Sequence, residues 1–118
     1  MRIVHLIVAA SVLSGCSSYA TIMGYPSAQE VGRAQSAMEQ LAPGDSESLI
    51  LRLFERLDSS EWGKYGILDV SEYRAEDYVS RTYWIGYYYN SGGGYGADES
   101  RVLAITTVNG KIESTYEP

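Results

Sequence analysis

Few side chains in this sequence have the chemistry of a catalyst. The single thiol, Cys16, follows Leu13, Ser14 and Gly15, and the single imidazole, His5, sits in an apolar run shortly before it. A thiolate nucleophile needs a neighbouring base or positive charge to be activated, and His5 is the only side chain here of the usual kind. Two adjacent carboxylate pairs, Glu76 with Asp77 and Asp98 with Glu99, have the groups used in glycoside hydrolysis or calcium binding. Either role requires convergence in space, and solvated surface charge accounts for such pairs more simply. The stretch NSGGGYGADES has the glycines of a phosphate-cradling loop but lacks its lysine and hydroxyl residue, and its acids repel phosphate. It reads as a flexible hairpin loop.

The position of Cys16 decides its role. Met1 and Arg2 give a short positive start, residues 3–13 form an apolar run interrupted only by His5 and Ser11, and Leu13-Ser14-Gly15-Cys16 follows at once. This is the layout of a signal peptide, and the run is too short for a transmembrane helix, which needs about 20 residues. The four residues Leu13, Ser14, Gly15 and Cys16 resemble the lipobox of bacterial lipoproteins. The resemblance implies cleavage before Cys16, a diacylglyceryl group on its sulfur and a further acyl chain, commonly palmitate, on its amine. One acyl chain holds a membrane only marginally, at about 0.8 kcal/mol per buried methylene, whereas two or three make attachment lasting. Residues 1–15 are therefore expected to leave, and Cys16 to serve as an anchor. His5 departs with the leader, which leaves no imidazole base and no histidine metal ligand. No enzymatic activity, metal or cofactor is expected. Ser17 stands where an aspartate would signal retention at the inner membrane, so the outer membrane, periplasmic face, is the expected location.

Charge narrows the partners. The chain carries −6, and without Arg2 it keeps eight basic against 15 acidic side chains. Such a surface repels phosphate backbones and anionic head groups, so nucleic acid is excluded as a partner and the membrane is reached through lipid alone. With one cysteine there is no internal disulfide, and stability must come from packing.

Residues 16–26 read as a lipidated cysteine and tether of at most about 35 Å, and residues 27–118 as one α+β domain. Ser27-Ala28-Gln29-Glu30 has the capping-box pattern, followed by Val31, Ala34, Met38 and Leu41 at helical spacing, and Pro43-Gly44 stops the helix. A second helix, capped by Asp45 or Ser46, carries the stripe Leu49, Ile50, Leu53, Phe54 and Leu57, read as core. Residues 58–80 show no sustained period and are expected to be mostly irregular, with room for a short strand or helical turn. Residues 82–90, TYWIGYYYN, favour a strand. A second strand-like run starts at Arg101, and Asn109-Gly110 marks a hairpin to a third. A two-residue turn there would pair Val108 with Lys111, Thr107 with Ile112, Ile105 with Ser114 and Leu103 with Tyr116, placing Leu103, Ile105, Thr107, Ile112, Ser114 and Tyr116 on the helix side. The expected fold is ααβββ, two helices packed on a three-stranded antiparallel sheet.

That order, together with Gly44, Ser46, the stripe Ile50, Leu53 and Phe54, and the strand-turn-strand from Leu103 to Tyr116, resembles the SmpA/OmlA-like (BamE-like) family of small outer-membrane lipoproteins. Glu55 departs from the family, standing where a glycine is usual. The resemblance implies an envelope scaffold or accessory domain in outer-membrane assembly or integrity that binds another envelope protein. The aromatic strand supplies the candidate contact surface, Tyr83, Trp84, Tyr87, Tyr88 and Tyr89, with Tyr95 in the glycine-rich loop. Such side chains combine large contact area with a polar tip. A second reading is a periplasmic lysozyme-inhibitor-like or glycan-binding lipoprotein, in which the Ser-Gly-rich loop or the tyrosines make the contact.

Overall fold

The hydroxyl oxygen of Ser27 accepts a hydrogen bond from the backbone N–H of Glu30 at 3.1 Å and starts helix α1 (Ala28–Glu39). Only half of the capping box forms. Instead of returning to the Ser27 backbone, Glu30 Oε2 accepts from the Tyr65 N–H at 2.8 Å and pairs with Arg33, which ties the first helical turn to the entrance of the sheet. This computed structural model describes residues 23–90 and 97–118. Val31, Ala34, Ala37 and Met38 form the buried face of α1, and Leu41 extends it beyond the helix end. Each large apolar side chain withdrawn from water in this way contributes about 1.5 to 3 kcal/mol.

Helix α2 (Ser48–Leu53) is shorter than its apolar stripe suggests. Phe54 already has extended angles, φ −134° and ψ 127°. The reason lies in competing backbone partners: the Ile67 N–H donates to the Glu55 carbonyl and the Leu57 N–H to the Ile67 carbonyl, both at 2.9 Å. Residues 55–57 thus pair beside the first strand, which satisfies their polar groups as a helix would. Ile50, Phe54 and Leu57 are buried as expected of the stripe, but an extended segment holds the last two. The N-cap position falls on Glu47, whose side chain makes no capping bond, while Ser46 Oγ, one residue earlier, accepts from the Ser48 N–H at 3.3 Å.

The sheet has four strands, which corrects the expected ααβββ order. β1 (Gly66–Arg74), β2 (Val79–Asn90), β3 (Ala97–Val108) and β4 (Lys111–Tyr116) form an antiparallel meander in sequence order. β1 lies within the stretch expected to be irregular. Two features hid it: a register shift at Leu68 sets two buried residues side by side, and the outer half of the strand is an edge whose residues Ser71 to Arg74 are all exposed. Alternation is therefore absent where it would have been sought. β2 begins at Val79 and β3 at Ala97, so Asp98 and Glu99 belong to a strand opposite Tyr89 and Tyr88, and only residues 91–96 of the glycine-rich stretch lie outside the described residues.

The Asn109-Gly110 hairpin forms, with both residues at positive φ, 50° and 83°, as its tight turn requires. Val108 pairs with Lys111 and Thr107 with Ile112 as expected. A register shift at Glu113 then advances the pairing, so that Thr106 faces Ser114, Ile105 faces Thr115 and Ala104 faces Tyr116. Ser114 and Tyr116 consequently leave the helix side for the opposite face. A third shift, at Val102, lies across from Gly86. A Cβ on Gly86 would stand 1.9 Å from the Ser100 carbonyl oxygen and 2.8 Å from Leu68 Cδ1, so the sheet can bend there only around a glycine. The inner face, built from Tyr83, Ile85, Leu103, Ile105, Thr107 and Ile112, packs with the helices into one core.

Candidate functional site

The aromatic strand β2 divides its side chains between two faces. Tyr83 points inward and is only 4 % exposed, so it is a core residue and not part of a contact surface. Its hydroxyl donates to Glu47, whose carboxylate also accepts from Arg81 Nη1 at 3.0 Å and from Thr107 Oγ1 at 3.2 Å. Burial, with Glu47 adding to it, pushes the Tyr83 hydroxyl up to about 12. Arg81 continues the chain of charges to Glu72, and Arg81 first and Arg74 second hold the Glu72 carboxyl below the usual carboxylate range. This network fastens the loop before α2 to the sheet, as do the hydrogen bonds of residues 44–47 to Gly110 and Ile112.

Tyr87 and Tyr89 also lie on the helix side, near the end of β2. They meet Tyr25 and Tyr65 in a cluster: Tyr25 stacks on Tyr89, and Tyr87 is edge-on to Tyr25 at 6.3 Å and to Tyr65 at 5.2 Å. Burial, then Tyr87 and Glu30, push the Tyr65 hydroxyl well above its ordinary value. Gly24 and Pro26 are buried beside this cluster, and Gly24 packs against Trp62. Residues 23–26, read as tether, are therefore part of the folded domain.

The outer face has a different character. Register places three rows across all four strands: Asp69, Trp84, Ala104 and Tyr116; Ser71, Thr82, Thr106 and Ser114; and Tyr73, Ser80, Val108 and Lys111. The middle row consists entirely of hydroxyl side chains. Trp84 is half-buried because the Arg101 guanidinium lies over its ring, 4.9 Å from the centroid, held by ion pairs to Asp69 and Glu99. Tyr88, also half-buried, donates to the Leu68 carbonyl at 3.3 Å. The exposed aromatics among the described residues are others: Trp62 before β1, Tyr73 at 62 %, Tyr116 at 64 % and Tyr78 in the turn after β1. Tyr73 and Tyr78 have ring centroids 6.0 Å apart and, with Ser80, Val108 and Glu113, line an open groove of about 690 Å³.

Sequence reasoning missed these three tyrosines. Tyr73 and Tyr78 lie in the stretch that shows no period, and a regular two-residue hairpin places Tyr116 inward because the Glu113 shift carries no mark in the sequence. The inward assignments of Leu103, Ile105 and Thr107 stand.

Other candidate chemistry stays dispersed. Glu76 and Asp77 are exposed in the β1–β2 turn, Asp98 is near the Tyr89 hydroxyl, and Glu99 is paired with Arg101. Among the described residues no cluster of His, Cys, Asp and Glu could hold a metal ion, and no helix is long and apolar enough to cross a membrane. A second groove of about 470 Å³, lined by Glu30, Arg33, Arg52, Glu55, Lys64 and Tyr65 among others, has its charges already paired in part with one another. Leu13, Ser14, Gly15, Cys16 and Tyr95 lie outside the described residues.

Fold and surface together define an α+β domain with a four-stranded meander, helices and a buried charge network on one side and an aromatic and hydroxyl face on the other. Comparison with protein-family models, with curated proteins and with solved structures finds no match to this chain.

Proposed function

We propose that this chain is a lipid-anchored, non-catalytic binding domain of the bacterial outer membrane, facing the periplasm, and that its contact surface is the outer face of the sheet. The observation that carries the reading is the exposure of Tyr73, Tyr78 and Tyr116 along the outer side of the sheet. Tyrosines placed this way supply contact area at small conformational cost. The contact residues differ from those suggested by the aromatic strand alone: Tyr83 is excluded by burial, Tyr87 and Tyr89 are engaged with Tyr25, and Trp84 and Tyr88 remain at one edge of the patch. The lipobox-like Leu13-Ser14-Gly15-Cys16 supports the anchor. With Cys16 as the anchor, the six residues before Met23 reach at most about 21 Å. The docked segment at Tyr89 would then hold the β2–β3 end of the sheet near the lipid and turn the Tyr73 and Tyr78 end away from it.

Photocrosslinking in cells tests the surface. A benzophenone amino acid at Thr82 or Ser114 should give adducts with an envelope component, and one at Ser36 on α1 should not. Adducts absent from both sheet positions, or equally strong from Ser36, would overturn the reading. Cys16→Ala should abolish acyl labelling and membrane retention; unchanged retention would remove the anchor from it.

A further inference from the structure

Resting on that reading of the outer face, we infer that its occupant is a neutral glycan strand, seated in the groove at Tyr73 and Tyr78 and continuing across the hydroxyl row Ser71, Thr82, Thr106 and Ser114. The chemistry of the surface favours a saccharide over a protein. The centre of a protein interface is its most apolar part, with polar groups at the rim. Here the order is inverted, since the central row carries only hydroxyls while the aromatic residues flank it on both sides, Trp84 and Tyr116 in one row and Tyr73 in the other.

Dimensions agree with an extended oligosaccharide. Strands are about 4.8 Å apart, so the hydroxyl row crosses three gaps, about 14 Å, and the flanking rows lie about 7 Å to either side along the strands. That is the footprint of a few linked sugar rings. Serine and threonine hydroxyls both donate and accept, which suits a ligand whose own groups do the same. The apolar C–H face of a pyranose packs on an aromatic ring, and the tilted pair Tyr73 and Tyr78, 6.0 Å apart, offers two ring surfaces at the groove. Ser80 and Val108 line the groove beside them, and Glu113 adds a carboxylate able to accept from sugar hydroxyls.

Charge excludes the acidic glycans. Glu113 in the groove and the exposed Glu76 and Asp77 beside Tyr78 oppose an anionic strand, on a chain whose net charge is already −6. Lys111 is the one basic residue in the three rows, and Arg101, lying over Trp84 on the same face, is already paired with Asp69 and Glu99.

Calorimetric titration of the mature lipidated chain in detergent micelles, with chitohexaose as the neutral probe and hexagalacturonate as the acidic one, tests the inference. Chitohexaose should bind saturably with a dissociation constant on the order of 0.1 to 1 mM. The variant Tyr73→Ala/Tyr78→Ala should weaken it at least tenfold, and Thr106→Val, which removes a hydroxyl and keeps the shape, by a few-fold. Hexagalacturonate should give no saturable heat. No binding of chitohexaose at about 10 mM, unchanged affinity in both variants, or preference for the acidic probe would overturn the glycan assignment. The photocrosslinks separate this failure from that of the sheet-face reading: a Thr82 adduct whose partner yields peptides of another protein by mass spectrometry keeps the surface and replaces the glycan with a protein.

Discussion

Tyr25 stacks on Tyr89 with ring centroids 5.0 Å apart and ring planes 18° from parallel, so a residue from the segment before α1 is held on the last turn-ward residues of β2. Stacked aromatic pairs contribute about 0.5 to 1.5 kcal/mol beyond the area they bury. A double-mutant cycle with Tyr25→Ala and Tyr89→Ala should return a coupling energy in that range, and Tyr25→Ala alone should raise hydrogen exchange in residues 23–26 without loosening the core strands. Additive effects, with no coupling, would mean that the segment is held by Gly24 and Pro26 instead.

Gly86 and Gly32 make an opposed pair. A methyl group at Gly86 meets the Ser100 carbonyl at 1.9 Å, a backbone atom in the middle of a paired strand that has no room to move. Gly86→Ala should cost about 3 kcal/mol or more. Gly32 lies on the exposed side of α1 with nothing within 4 Å of its added Cβ. Gly32→Ala should stabilise the chain by about 0.5 to 1 kcal/mol through helix propensity. Urea unfolding measures both, and a Gly86→Ala loss below that of an ordinary surface change would contradict the close approach.

These same positions explain what the sequence could and could not convey. Helix α1 was legible because Ser27 and the spacing of Val31, Ala34 and Met38 are local signals, and the β3–β4 turn because Asn109-Gly110 fixes it within four residues. Three register shifts, at Leu68, Val102 and Glu113, were not legible, since each depends on the partner strand and changes which face the following residues occupy. The shift at Leu68 concealed β1, and the shift at Glu113 moved Tyr116 from the inner face to the outer one. The exposed aromatic residues of the outer face therefore differ from those that the aromatic strand alone suggests. The end of α2 at Leu53 was hidden for the related reason that the Glu55 and Leu57 backbone partners lie at Ile67, beyond the reach of a helical pattern.

Glu47 shows how a charge can be kept in the core. At 8 % exposure its carboxylate collects Arg81, Tyr83 and Thr107, two of them hydroxyl donors buried in the sheet. Glu47→Ala would leave those hydroxyls without their acceptor and the Arg81 guanidinium with Glu72 alone, and should destabilise by about 2 to 4 kcal/mol. Glu47→Gln retains one acceptor oxygen and should cost about half as much. Denaturant midpoints of the two variants decide the matter. If Glu47→Ala is no worse than Glu47→Gln, the network adds little beyond filling space.

Tyr83 gives the fold a defined alkaline limit. Its hydroxyl keeps its proton up to about pH 12 in the folded chain, against 10.0 for an ordinary tyrosine, first because burial disfavours the phenolate and then because Glu47 stands beside it. Below pH 10 folded and unfolded chains both hold the proton, and the group makes no pH-dependent contribution. Between pH 10 and about 12 the unfolded chain releases it while the folded chain does not, so the folded chain binds more protons and stability falls as pH rises. Tyr65, shifted upward in the same direction by burial, adds to the decline. Urea midpoints taken across this window should drop steadily for the native sequence. Tyr83→Phe should lower stability at neutral pH by about 1 to 3 kcal/mol, because Glu47 loses a donor, yet make the alkaline decline shallower. A parallel decline in both proteins would show that the Tyr83 hydroxyl ionises in the folded state as an exposed phenol does, and would overturn the prediction.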